Sequence, residues 1–398
     1  MKKTVENLAI FGGKPMFSEP LHVGRPNRPD KAVFFQHADD IWESAWLTNN
    51  GPKVQQFENE LQQMLGVKHV IAVCNATIGL QIAIRALGMK GEVIVPSFTF
   101  VATAHSLEWQ EITPVFCDVD PNTHCMDPSR IEQLITPRTT GIMPVHLWGN
   151  LCDVEAIQAI ADKHNLKVLY DAAHAFGCEH AGKMVGNFGD AEVFSFHATK
   201  VMNTFEGGCI TTNNDEVARV IRLMINFGFI GKDQVTYIGT NGKMSEISAA
   251  MGLASLDAFD GFVAHNRDNY EHYKRRIIDI PGLAIIEHDE EEKRNFHYII
   301  VQVADDAKIS RDTIVKILEQ ENVLARRYFH PGCHRMEPYK SYYPNTGVLL
   351  PVTERLTEIL FCLPNGTATS GGDASKICDL LSFIMTMSDS ISLKLEKG

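Results

Sequence analysis

The sequence predicts an α/β fold, with a mostly parallel central sheet flanked by helices and a smaller C-terminal α+β domain. The 398 residues are enough for one large hydrophobic core and a second, smaller one. From about residue 53 to residue 260, short apolar runs alternate with segments of helical periodicity. This order is typical of parallel strands joined by right-handed crossovers. After about residue 260, longer helices and fewer strand-like runs follow.

The elements of the large domain follow from the spacing of apolar residues. Apolar side chains at positions 54, 57, 61 and 65 predict one helix, and residues 76–87 predict another. Short apolar runs bounded by polar or turn residues predict buried strands. These runs are residues 69–74, 93–96, 113–118, 141–146, 168–171, 191–196 and 208–212.

The C-terminal part predicts a separate α+β arrangement. Its predicted elements are a helix at 266–278, strands at 283–286 and 296–303, a helix at 311–320, a polar and aromatic stretch at 328–343, and a helix at 374–385. We therefore expect a large domain over residues 1–260, with an N-terminal segment close to the substrate, and a small domain over residues 261–398.

Composition excludes several classes of function. The net charge of −12 and a pI near 5.7 argue against nucleic acid or an anionic membrane as the main partner. The nine cysteines contain no C-x-x-C pair, which favours reduced thiols over a disulfide framework or a zinc site. No apolar run approaches the ~18 residues of a membrane span, and no apolar segment follows the basic N-terminus. We expect a cytoplasmic protein.

The most informative residues lie where predicted strands end. Asp171 closes one strand, Ser195 lies at the end of another, and Lys200 follows in a turn that leads to Gly207 and Gly208. A lysine amine can form a Schiff base with an aldehyde, an Asp can keep a pyridine nitrogen protonated, and a Ser hydroxyl can bind phosphate. Because ligands bind beyond the carboxyl ends of parallel strands, these residues predict a pyridoxal 5′-phosphate site.

Other candidate residues have a structural alternative. Asn75, Ala76 and Thr77 open a predicted helix whose N-terminus could bind phosphate, although Asn75 or Thr77 could simply cap it. Phe100 could stack on a pyridine ring or belong to the core. His174 is either a core histidine or a neighbour of the cofactor ring.

Two other enzyme patterns lack support. No G-x-G-x-x-G opens a βαβ unit, so a nicotinamide site is not indicated. The histidines show no H-E-x-x-H or comparable spacing, so we expect no metal site.

With these motifs in view, the chain resembles the fold-type I pyridoxal-phosphate aminotransferases that act on nucleotide-linked keto sugars. The resemblance extends from residue 51 to residue 364. The motifs that carry it are residues 51–58, 96–100, 171–177, 195–208 and 241–250. It implies that Lys200 binds the cofactor and carries protons, that Asp171 pairs with the pyridine nitrogen, and that Phe100 stacks on the ring.

The resemblance also implies how phosphate is bound. Ala76, Thr77 and Ser195 would bind it from one subunit, and Asn241 would reach it from a second. A homodimer with shared active sites is therefore implied. One departure is Lys243, where the family often has Arg; Lys keeps the charge but loses the bidentate geometry.

Substrates are implied by the same resemblance. Asn49, Gly51 and His330 would lie toward the sugar nucleotide, and L-glutamate would be the amino donor. The residues at 195–208 look most like the branch that aminates C4 of dTDP-4-keto-6-deoxyglucose, giving dTDP-4-amino-4,6-dideoxy-D-glucose. A C3 aminotransferase acting on a dTDP-3-keto-6-deoxyhexose is the leading alternative, and an inactive regulatory paralogue is another. A sugar dehydratase of this scaffold would have His in place of Lys200.

Overall fold

The computed structural model of this chain describes residues 2–289 and 291–397. The domain ranges predicted above also contain residues 1, 290 and 398, which lie outside the described residues.

The strands and helices are defined as follows. The strands are β1 (Leu21–His22), β2 (His69–Val73), β3 (Glu92–Pro96), β4 (Thr113–Cys117), β5 (Thr139–Ile142), β6 (Lys167–Asp171), β7 (Glu179–His180), β8 (Lys183–Met184), β9 (Ala191–Ser195), β10 (Gly208–Thr212), β11 (Leu283–Ile285), β12 (Ile299–Val303), β13 (Val323–Leu324) and β14 (Leu360–Leu363). The α-helices are α1 (Lys31–Ser44), α2 (Pro52–Leu65), α3 (Ala76–Ala86), α4 (Ala102–Glu108), α5 (Val154–His164), α6 (Asp215–Met224), α7 (Glu246–Asp257), α8 (Phe259–Ile277), α9 (Arg311–Gln320), α10 (Tyr339–Tyr342), α11 (Pro351–Ile359), α12 (Gly371–Thr386) and α13 (Ser388–Lys397).

The central sheet has seven strands in the order β2-β10-β9-β6-β5-β3-β4. Every pairing is parallel except those of β10, which is antiparallel to both β2 and β9. The predicted α/β fold with a mostly parallel sheet is thus confirmed. β10 reverses direction because residues 196–207 return from β9 without a crossover helix. This return loop contains Lys200.

A smaller antiparallel sheet, β11-β12-β14, forms from the C-terminal part of the chain. The N-terminal residues pack against the same core, where Leu8, Phe17 and Leu21 join Tyr273 and Ile377. Strand β1 also pairs in parallel with β13. The predicted boundary near residue 260 falls close to the start of α8, and the division into two domains stays a prediction.

The strands differ from their predicted limits where the backbone cannot continue the ladder. The run predicted at 141–146 is a strand only over Thr139–Ile142, and Pro144, which has no N–H, follows. The strand predicted at 296–303 begins at Ile299, after Phe296 adopts a φ of 50°. Strand β14 was not predicted.

Within residues 2–289 and 291–397, no single helix is long and apolar enough to cross a membrane. By length and composition only, α7 and α8 together would pass, and they are bent by 59° relative to each other.

Candidate active site

A cavity of about 350 Å³ lies at the carboxyl edge of the central sheet. Its walls come from three parts of the chain. These are the central sheet and its loops, the N-terminal Val23 and Gly24, and residues next to the small sheet, called here the small-sheet region (Tyr298, Arg326, Tyr328 and Phe329). Seven residues predicted from the sequence line it: Ala76, Thr77, Phe100, Asp171, His174, Ser195 and Lys200.

Lys200 lies in the return loop between β9 and β10. Its backbone N–H donates to the carbonyl of His197 at 2.9 Å, which closes a tight turn and directs the side chain into the cavity. The ammonium Nζ donates to the hydroxyl of Tyr298 at 3.4 Å. Shielding from water lowers the pKa of Lys200 to about 8, while the charge of Asp171 acts in the opposite direction. The amine is therefore partly deprotonated near neutral pH.

Asp171 ends β6 with its carboxylate buried. Oδ2 accepts a hydrogen bond from the Thr103 hydroxyl at 2.9 Å, and Oδ1 accepts one from the N–H of Ala173 at 3.1 Å. Burial raises the pKa of Asp171, and these hydrogen bonds and the charge of Lys200 lower it in part. Among the described residues no cation forms an ion pair with this carboxylate. A protonated ring nitrogen in the cavity would supply the missing positive charge.

The N-terminus of α3 also lines the cavity. The Asn75 side chain accepts the N–H of Ile78 at 2.9 Å and so caps the helix. The N–H groups of Ala76 and Thr77 have no acceptor within the helix. A Cβ added to Gly208 would lie 3.0 Å from the nitrogen of Ala76, so a glycine is needed for β10 to approach the helix this closely. Together with the hydroxyl of Ser195, this end suits a phosphate.

His174 is neutral and lies among aromatic rings. Its Nδ1 accepts the backbone N–H of Trp148 at 3.3 Å, and burial holds its pKa well below the ordinary value. The ring proton is consequently on Nε2. The ring is stacked with Phe329 at 5.9 Å and lies 4.6 Å from the ring of Tyr298. His174 thus makes a structural contact through Nδ1 and also lines the cavity, and its predicted role beside the cofactor ring stays a prediction.

The remaining sequence-predicted residues do not line this cavity. Asn49 borders a separate surface cavity together with Asn226, whose backbone forms a β-bridge with Asn241. Gly51 lies beside them at the N-terminus of α2. His330 lines a second cavity that adjoins the first and shares Phe100 with it. The predicted roles of Asn49, Gly51, Asn241 and His330 stay predictions.

Several residues that line the cavity or support Asp171 were missed by the sequence analysis. Thr103 follows the 96–100 motif by one helical turn, and its spacing of four from Thr99 could have indicated that both hydroxyls point the same way. Tyr298 and Arg326 come from the small-sheet region, so no local pattern links them to Lys200. His197 and Glu206 also line the cavity and lie within the 195–208 motif.

These residues fit pyridoxal 5′-phosphate. The amine, the buried carboxylate without a cation and the helix N-terminus surround one cavity, and these are the partners of an aldehyde, a pyridine nitrogen and a phosphate. Among the described residues no group of three or more His, Cys, Asp or Glu side chains could hold a metal ion.

Comparison with known proteins gives consistent matches over nearly the whole chain. The profile of the DegT/DnrJ/EryC1/StrS aminotransferase family matches residues 29–382. A dTDP-4-amino-4,6-dideoxy-D-glucose transaminase from Shigella dysenteriae is 42% identical over 348 residues, 87% of this chain and 94% of the relative. A transaminase of the same name from Escherichia coli is 36% identical over 369 residues, 92% and 99% of the two chains.

Solved structures agree with the sequence matches. DesI, solved in the presence of its TDP-sugar product, is 44% identical with a TM-score of 0.94, covering 99% of this chain and 100% of its own. Helicobacter pylori PseC, an aminotransferase involved in the biosynthesis of pseudoaminic acid, is 26% identical with a TM-score of 0.86, covering 92% and 100%.

The charge of Asp171 raises the pKa of Lys200, so Asp171→Asn should lower that pKa below about 8 in the cofactor-free protein. Competitive labelling of Lys200 with acetic anhydride between pH 6 and 10, read by mass spectrometry, measures the change. Asp162→Asn, an exposed site on α5, is the matched control. An unchanged or higher pKa in Asp171→Asn would contradict the assigned contact.

Proposed function

The chain belongs to the DegT/DnrJ/EryC1/StrS aminotransferase family, and from this membership we propose a specific reaction for it. The enzyme transfers the amino group of L-glutamate to dTDP-4-keto-6-deoxyglucose, giving dTDP-4-amino-4,6-dideoxy-D-glucose. The names of the relatives at 42% and 36% identity support this substrate class. The observation that carries the proposal is the single cavity lined by Lys200, Asp171 and the N-terminus of α3.

Pyridoxal 5′-phosphate, when bound, supplies an aldehyde that accepts the amino group and a ring that accepts an electron pair. The N–H groups of Ala76 and Thr77 and the hydroxyl of Ser195 would bind the phosphate. Asp171 would accept a hydrogen bond from the protonated ring nitrogen, and Phe100 would lie against the ring. All five of these residues line the cavity that contains Lys200.

Lys200 moves the protons of both halves of the reaction. In the first half its amine removes the proton from Cα of glutamate, and in the second half it donates a proton to C4 of the sugar. A pKa of about 8 suits both tasks because the free amine and the ammonium are both populated near neutral pH. The hydroxyl of Tyr298 accepts a hydrogen bond from the amine and orients it.

A homodimer with shared active sites completes the proposal. Asn241 and Asn49 lie outside the cavity of their own chain, on one surface near Asn226. The loop that leads to Asn241 exposes an unusual set of apolar side chains, which a second copy would cover. These are Phe227, Phe229, Ile230, Val235 and Ile238. We propose that Asn241 reaches the phosphate of the partner subunit's cofactor and that Asn49, Gly51 and His330 contact the sugar nucleotide.

The cysteines support a cytoplasmic location. All nine are free thiols, and eight of them are buried. Unpaired thiols persist in a reducing compartment.

The test of the proposed function is a pair of half-reactions on purified enzyme loaded with cofactor. Glutamate should bleach the absorbance of the bound cofactor, and dTDP-4-keto-6-deoxyglucose should then restore it. NMR of the product distinguishes amination at C4 from amination at C3. A cofactor band that glutamate bleaches but the sugar leaves bleached would reject this substrate while retaining the aminotransferase reaction.

Lys200→Ala should reduce amino transfer by roughly 10²–10⁴-fold or more, because no other side chain is assigned to carry the proton. Borohydride reduction should also leave no cofactor covalently attached to this variant. Mass spectrometry of the reduced protein measures the attachment. Lys316→Ala, an exposed lysine on α9, is the control and should behave as the wild type. Retained turnover in Lys200→Ala would overturn the assignment.

Asn241→Ala should weaken cofactor binding if its amide reaches a phosphate across the dimer. Loss of one hydrogen bond to a charged group is worth about 1.5–3 kcal/mol, so the dissociation constant should rise roughly tenfold or more. Equilibrium dialysis measures this change, with the exposed Asn59→Ala on α2 as control. Equal affinities in the two variants would reject the contact.

A further inference from the structure

We propose that Thr103, supported by Thr99, is a positioning residue that fixes the orientation and charge of the Asp171 carboxylate toward the ring nitrogen of the cofactor. This inference rests on the proposed function, because it concerns the binding of the same cofactor. It assigns a role to two hydroxyl groups that the mechanism above does not use.

The direction of each hydrogen bond follows from the geometry. Thr103 Oγ1 lies 2.9 Å from Asp171 Oδ2, and an ionised carboxylate only accepts, so Thr103 donates its single hydroxyl proton there. Thr99 Oγ1 lies 3.0 Å from Thr103 Oγ1 and must therefore be the donor in that pair. The two hydroxyls form a chain in which each bond strengthens the next.

Both oxygens of Asp171 are thus held from different directions. Oδ2 is bound through the Thr103 chain, and Oδ1 accepts the N–H of Ala173 at 3.1 Å. Thr99 is 2% exposed, Thr103 0% and Asp171 6%, so water does not compete effectively for these bonds. Two fixed donors define the plane of the carboxylate and hence the direction from which it can accept a hydrogen bond from a protonated ring nitrogen.

The hydroxyl chain is itself fixed from outside the central sheet. The N–H of Cys333 donates to the carbonyl of Ser97 at 2.9 Å, and the Ser97 hydroxyl lies 2.6 Å from Nδ1 of His334. Thr99 and Thr103 flank Phe100, which lines the same cavity. One anchored segment therefore carries both a wall of the cavity and the support of its carboxylate.

Removing the Thr103 donor should make Asp171 harder to ionise. Burial already raises the pKa of this carboxyl group, and the hydrogen bond from Thr103 is the largest effect that lowers it. The titratable groups that face it are Lys200 and His146, together with His174 in the same cavity wall. A higher pKa in the cofactor-free protein means that cofactor affinity begins to fall at a higher pH.

The experiment measures the dissociation constant of pyridoxal 5′-phosphate as a function of pH, using full-length protein and no sugar substrate. Thr103→Val removes the hydroxyl with little change of shape, and Thr103→Ser keeps it. Thr211→Val is the matched control, because Thr211 is a buried threonine on β10 whose hydroxyl has no hydrogen-bond partner within the described residues. Thr99→Val provides a second variant that leaves Thr103 in place.

In Thr103→Val, the midpoint of the acidic fall in affinity should move upward by about one pH unit or more, the size expected for a hydrogen bond to a charged group. Thr99→Val should give a smaller shift in the same direction. Thr103→Ser and Thr211→Val should keep the wild-type midpoint. The test uses cofactor binding alone, so its outcome does not depend on which sugar the enzyme aminates.

Two results would overturn the proposal. One is a wild-type midpoint in both Thr103→Val and Thr99→Val. The other is an equal shift in Thr103→Ser and Thr103→Val, which would mean that side-chain shape rather than the hydroxyl supports Asp171.

Discussion

A buried carboxylate that shares a cavity with an amine but forms no ion pair with it is the constraint on which the site depends. Asp171 is held by Thr103 and Ala173, and within the described residues its negative charge has no ion-pair partner. A buried charge without an ion pair is costly, and a positively charged ligand in the cavity would stabilise it. The positive charge of the nearby Lys200 is also destabilised, because shielding from water lowers the pKa of its amine. One cavity brings the two groups together and makes both reactive.

Parts of the chain distant in sequence also line the cavity. Tyr298 and Phe329, from the small-sheet region, close the side of the cavity that faces Lys200 and His174. Val23 and Gly24 close another side. The N-terminal residues can reach this position because strand β1 pairs with β13 and because buried Glu321 accepts the N–H groups of Ala9 and Met16 at 2.7 Å. Residues next to the smaller sheet and near the N-terminus therefore form part of the wall of a site built on the larger sheet.

Local sequence was sufficient to predict a site residue wherever a residue with a reactive or binding side chain also ends a strand. The apolar run before Asp171 and the one containing Ser195 predicted the strands, and the carboxyl-edge rule for parallel sheets then predicted a common site. The same reasoning failed for Thr103, whose role depends on a hydrogen bond from α4 to the last residue of β6. It failed again for Tyr298, which meets Lys200 only through the packing of the small-sheet region. Asn241 shows a different limit, since its predicted role requires a second chain.

By itself, the sequence determined the α/β order of elements, the family resemblance, the position of Asp171 and Ser195 at strand ends, and the position of Lys200 in the turn that follows. It could do so because strand periodicity and strand termini are properties of short segments. The tertiary structure alone decided that the carboxylate of Asp171 is bound on both oxygens, that His174 carries its proton on Nε2, and that the pKa of Lys200 is lowered to about 8. These properties depend on burial and on hydrogen bonds between residues far apart in the chain, which no local pattern records.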